Sequence, residues 1–185
     1  MSGTAQGDTI RCVTHSVNRF TIEIAATPQD FRASYERAVP LLPVAEVHAL
    51  AARHAPWQEM LDLMARVAPL GFLIYHAIDA DPIMPLAGDR AFCVSYLMGN
   101  HTIAERMFRY EPAVLLYAPL RTAIWGDPEG PAHFTFDQPS AQFASFGNPA
   151  ITSVGVELDR KMAALLDALH ATVPDGLRTS DARRL

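Results

Sequence analysis

Between Cys93 and Trp125 the chain reads CVSYLMGNHTIAERMFRYEPAVLLYAPLRTAIW. An apolar strand runs into a Gly-Asn break, and a short helix follows. Glu111-Pro112 stops that helix, and a second apolar run begins. Hydrophobic periodicity thus switches from about 2 to about 3.6 and back within a few turns of chain, which requires strands and helices to alternate in one compact unit.

The same reading extends outward. Residues 10–26 alternate loosely and predict a first strand or hairpin arm. Thr27-Pro28-Gln29-Asp30 predicts a helix start: a capping hydroxyl, a proline at the first helical position and an acid in the first turn. Phe31, Tyr35 and Ala38 then share a face until Pro40 and Pro43. Helices are predicted over 44–53 (Val44, Val47, Leu50) and 56–67 (Trp57, Met60, Leu61, Met64, Val67). Residues 72–78 and 91–98 read as strands, and 101–110 as a helix with Ile103, Met107 and Tyr110 inward. Residues 113–125 and 133–137 read as a hairpin, with Pro119 favouring an edge or a bulge. From Pro149 to about Ala171 a continuous stripe from Ile151 to Leu169 predicts a long helix. Asn100 and Asn148, each after a glycine, both stand where a helix cap belongs.

The expected fold is α+β: two layers, a mostly antiparallel sheet with helices packed on one face, and an N-terminal strand and helix extension. The chain divides into a flexible start (1–9), one domain (10–173) and a loose polar tail (174–185). A length of 185 residues suits a single core. Half the residues are hydrophobic and 19% charged, with net charge −5, so the chain is globular and lacks the basic patch of a nucleic-acid binder. No apolar run approaches the roughly 18 residues of a membrane span. The start is polar and has no signal-peptide core, so the expectation is a soluble cytoplasmic protein without a membrane partner. Cys12 and Cys93 are too few for a disulfide framework, and Cys93 reads as a buried, inert thiol.

Several residues could carry chemistry. Asn100 and the amides after it could meet an anion or a carbonyl, with Arg121 adding a forked donor if the hairpin packs alongside. His76, behind Tyr75 in an apolar strand, could act as a base or be a satisfied core histidine. His101 and Glu105 share a helix face and are weak metal candidates, needing a third ligand such as His76 or Cys93. His133, Thr135 and Asp137 lie on one strand face near Ser140, but no nucleophile elbow frames that serine. Met60, Met64, Met98, Met107 and Met162 could line a haem or lipid cavity, or simply fill a core. No phosphate loop, dinucleotide fingerprint, Cys-x-x-Cys or His-Glu-x-x-His is present, and no cofactor is specified.

Tyr96-Leu97-Met98-Gly99-Asn100, the helix Thr102–Phe108, Glu111-Pro112-Ala113-Val114 and Leu116-Tyr117-Ala118-Pro119-Leu120-Arg121 together resemble the bacterial domain-of-unknown-function 302 family over roughly 57–171. The resemblance implies the two-layer α+β fold and a homodimer, and no settled reaction. His101 stands where that pattern commonly has proline, and residues 10–56 extend the minimal domain. The favoured reading is a protein that binds a small, partly apolar or anionic molecule between helices and sheet. Asn100 and His101 would form its mouth, and Tyr75, His76, Tyr117 and Arg121 its lining. Two alternatives stand beside it: an enzyme using His76 or His101 as acid or base, and a homodimeric interaction module with no small ligand.

Overall fold

The computed structural model describes residues 8–178. Five strands form one antiparallel sheet: β1 (Arg19–Ile24), β2 (Leu73–Asp79), β3 (Phe92–Gly99), β4 (Leu120–Gly126) and β5 (Ala132–Asp137), in the order β1-β5-β4-β3-β2. The helices are α1 (Pro28–Ala38), α2 (Val44–Ala52), α3 (Trp57–Val67), α4 (His101–Phe108), α5 (Pro139–Ala144), α6 (Pro149–Ala168) and α7 (Asp175–Arg178). The α+β class and the antiparallel sheet agree with the reading of the sequence.

Strict alternation builds the inner face. Phe92, Val94, Tyr96 and Met98 of β3 point inward and are buried, as are Ile124 of β4 and Phe134 and Phe136 of β5. Over them pack Phe31 and Tyr35 of α1, Ile103 and Met107 of α4, and the α6 stripe of Ile151, Val154, Leu158, Met162, Leu165 and Leu166. Each such side chain contributes about 1.5–3 kcal/mol when fully buried. Thr122 is a polar inward position on β4, and Tyr35 explains it: Tyr35 Oη lies 3.1 Å from Thr122 Oγ1 inside the core. Gly155 lets α6 approach α5, since a Cβ there would fall 3.0 Å from Ser140 Cα.

The N-terminal extension serves both sheet edges. β1 pairs along β5 from Arg19↔Asp137 to Ile24↔Ala132. At the other edge Leu42 N donates to Ile74 O (2.9 Å) and Ile74 N to Pro40 O (2.8 Å), so residues 40–42 satisfy part of β2. Beside that edge Leu63, Met64, Ala68 and Leu73 form a second, smaller core.

Several local expectations change. The apolar face of α3 includes Leu63 and leaves Leu61 exposed, because α3 packs on α2 and the β2 edge. Tyr110 is exposed, since α4 ends at Phe108. Residues 113–119 are not extended: Pro112–Leu116 form a 3-10 turn, opened by Glu111 Oε1 accepting from Ala113 N. Pro119 therefore lies just before β4, a central strand, rather than within an edge strand. Cys93 is half-buried on the outer face rather than fully buried, and both cysteines are free. Residues 175–178, placed by sequence in the tail, form α7 with Leu177 fully buried. Gln138 Nε2 donates to Gly176 O (3.1 Å) and to the buried Asp159 carboxylate (2.9 Å). Residues 1–7 and 179–185, read as flexible ends, lie outside the described residues.

Candidate functional site

The site grows from the place where β3 ends. Gly99 is followed by Asn100 in extended conformation, and the chain turns into α4. A Cβ on Gly99 would fall 3.3 Å from Pro119 Cα, so the absent side chain lets the residues before β4 approach closely. Asn100 is nearly buried, and its Oδ1 accepts from Thr102 N (2.9 Å) and Thr102 Oγ1 (2.7 Å). Its Nδ2 donates to Gly71 O at 3.2 Å, tying the helix start to the loop before β2. The equivalent cap at Asn148 accepts from Ala150 N at 2.9 Å, as the repeated Gly-Asn pair implied.

Tyr75 reaches this corner through a bulge. Ile74 pairs with Met98 and His76 with Leu97, which leaves Tyr75 as the extra residue between them. Bulges redirect side chains in this way. The Tyr75 and His101 ring centroids lie 5.0 Å apart, and Tyr75 Oη is 2.6 Å from His101 Nδ1. Burial raises the phenol's pKa, so the hydroxyl keeps its proton. With Tyr75 donating its proton to Nδ1, His101 carries its own proton on Nε2. Burial also lowers the His101 pKa, so the imidazole is neutral at pH 7.

Beside the pair opens a cavity of about 400 Å³, within the size range of small-molecule sites. Its floor is sheet and core: Phe72, Met98, Gly99, Leu120, Phe143 and Leu158. One wall is α4, through Ile103, Ala104, Met107 and Phe108; the facing wall is Leu115, Ala118 and Pro119. Trp57, Phe108 and Leu115 are 45%, 43% and 52% exposed and form an apolar rim. The charged lining residue is Glu105, whose carboxylate is held by Arg109 at 2.5 and 3.1 Å.

Of the residues singled out by sequence, Tyr75, Met98, Asn100, His101, Glu105 and Met107 line this cavity. The others are placed elsewhere. His76 is exposed on the sheet's outer side beside Leu97. Arg121 is exposed, while its neighbour Leu120 is buried and lines the cavity, so the two point to opposite faces. Tyr117 packs on Phe143 and Phe146, and its hydroxyl meets His15 Nε2 at 3.0 Å. Met64 belongs to the second core, and Met162 to the main one. His133 stacks on Trp125, Thr135 bonds Thr21, and Asp137 pairs with Arg19, forming a polar ladder on the outer face. Among the described residues no three His, Cys, Asp or Glu side chains gather as a metal site, and none of their helices is long and apolar enough to cross a membrane.

Trp57, Phe108, Leu115 and Ala104 were not anticipated as lining. Trp57 stood in the apolar stripe of α3, where spacing cannot separate a rim residue from a core one. A signal was available at Phe108, the apolar residue next to inward Met107 on a helix too short to bury both.

No protein of curated function matches the chain. A solved structure, the crystal structure of an uncharacterized conserved DUF302 protein from Bacillus stearothermophilus, shares its fold: TM-score 0.58, 13% identity, covering 82% of this chain and 97% of that one. The family model for the domain of unknown function DUF302 matches residues 48–169, which include α3, the Tyr75 bulge, the capped start of α4 and every wall of the cavity. The chain belongs to the DUF302 family.

Proposed function

We propose that this protein binds a small, largely apolar molecule in the cavity beside Asn100. The observation that supports the reading is an apolar hollow with one hydrogen-bonded polar pair, Tyr75 and His101, at its edge. Binding sites have this composition: apolar walls supply affinity and a few convergent polar groups set orientation. Filling a cavity with another side chain removes a site without removing the fold. Ala104 lines one wall on α4 and is part-exposed, so a larger side chain there occupies the hollow.

The test uses N-phenyl-1-naphthylamine, a neutral apolar probe whose emission rises out of water. Saturable binding is expected with the native chain and at least tenfold weaker binding with Ala104→Phe, both proteins showing the same circular dichroism. Equal binding by the two, or no saturable binding by the native chain, would contradict the proposal. If the native chain leaves the probe unbound and sediments as a dimer, the homodimeric interaction module takes its place.

An enzymatic reading would use His101 as its base, and the neutral ring's one lone pair, on Nδ1, is the one that accepts from Tyr75. Tyr75 keeps its proton and serves that ring as a hydrogen-bond donor. The pair therefore favours recognition over proton abstraction by tyrosine.

A further inference from the structure

Building on the reading that this cavity takes a small molecule, we infer that its ligand is uncharged and carries a hydrogen-bond acceptor, such as a ketone, ester or amide carbonyl, met by the Nε2–H of His101. Tyr75 is the positioning residue that places the proton on that nitrogen.

Charge limits the ligand first. Among the described residues no Lys or Arg lines the cavity. The charged lining group among them, Glu105, is negative and already held by Arg109. A carboxylate or phosphate entering these walls would lose its hydration with no opposite charge to replace it, which strongly disfavours an ion there. Arg121, the cation an anion site would need, faces the other side of the sheet. The capping amide of α4 is also taken: Thr102 N already donates to Asn100 Oδ1.

Hydrogen-bond direction comes next. With the protonated Tyr75 hydroxyl donating to Nδ1 across 2.6 Å, the second nitrogen of His101 is the donor. Among the described residues Nε2 has no protein partner. The cavity's edge therefore offers a neutral N–H on an otherwise apolar wall. The ligand that matches it is an oxygen acceptor on a hydrocarbon frame; a ligand presenting only donors would face a donor.

The probe is 6-propionyl-2-(dimethylamino)naphthalene, a neutral naphthyl ketone whose emission moves to longer wavelength when its carbonyl accepts a hydrogen bond. Its charged counterpart is 6-(dimethylamino)-2-naphthoate. The native protein is expected to bind the ketone, with emission red of that in a dry hydrocarbon, and to bind the naphthoate at least a hundredfold more weakly. His101→Phe should weaken the ketone about tenfold and shift its emission to the blue. His101→Gln, which keeps a donor, should recover part of both. Nitrogen-15 spectra of the His101 ring should show the Nε2–H form in the native protein and a tautomer mixture in Tyr75→Phe, a readout that loss of packing alone would not move. Equal affinity for the naphthoate, unchanged emission in His101→Phe, or an Nδ1–H tautomer in the native protein would each overturn the inference. If the ketone fails to bind while N-phenyl-1-naphthylamine binds and is blocked by Ala104→Phe, this inference is wrong and the cavity reading survives. If neither probe binds, the cavity reading itself has failed.

Discussion

At the scale of the residue, His101 carries the sharpest consequence. Its ring is half-buried against Tyr75, and burial lowers its pKa below the usual value of about 6.5. The folded state thus holds this proton less tightly than the unfolded state does. The stabilisation is fully present above about pH 6.5 and is lost as pH falls through that value toward the lower folded pKa. Urea unfolding between pH 7.5 and 5 should show the native chain losing more stability than His101→Gln, whose side chain does not titrate; parallel curves would contradict this. The place of Asn100 and His101 at the start of α4 was legible because a Gly-Asn pair between a strand and a helix marks a capped turn. The pairing of His101 with Tyr75 was not, because it depends on a bulge that the β2–β3 register creates. Without that extra residue, alternation after inward Ile74 would turn Tyr75 to the outer face, away from His101. Arg121 shows the same sensitivity. Its direction depends on where β4 begins, and the strand starts at Leu120, directly after Pro119. Moving that start by one residue would reverse every side chain of the strand.

At the scale of the element, α4 is the piece on which the site depends. It has eight residues, too few to be stable as an isolated helix, so its position relies on its cap and its packing. Asn100 supplies the cap and also satisfies the carbonyl of Gly71. Asn100→Ala should cost about 2 kcal/mol by urea unfolding, the sum of a lost cap and an unpaired, part-buried carbonyl. Asn100→Asp, which can still cap, should cost less. A change under about 0.5 kcal/mol for the alanine variant would show that packing alone holds α4. The longer elements, α1, α6 and the β4–β5 hairpin, were legible from periodicity and capping chemistry. The short ones escaped for a physical reason. α5 spans six residues and buries Pro139 and Phe143 against α6, so it has no repeat long enough to register as a period. The 3-10 turn Pro112–Leu116 buries Val114 and leaves Leu115 and Leu116 exposed, and an apolar run of that length reads equally well as a strand.

At the scale of the whole molecule, the layers explain why a hollow sits where it does. α1 and α6 cover the inner face of the sheet, and Tyr35, fully buried against Tyr96 and Phe134, closes one part of it. The chain leaves β3 into α4 at the end where the 3-10 turn and Pro119 also arrive, so three segments converge there without interdigitating. Their side chains are apolar, and the α3 residue Trp57 overhangs the opening. The outer face is different in kind, a ladder of ion pairs, hydroxyls and the Trp125–His133 stack. The two-layer class was legible because strands with one wet side and helices with one apolar stripe admit few arrangements. The cavity was legible only as a bend, since volume left between packed elements is a property of their sum. A proton–nitrogen correlation spectrum recorded while N-phenyl-1-naphthylamine is added locates the bound probe residue by residue. Signals that move with saturation should belong to Trp57, Asn100, Ala104 and Phe108 around the cavity. Movement concentrated at Ala123, Trp125 and Thr135 on the outer face, with the cavity signals still, would contradict the account.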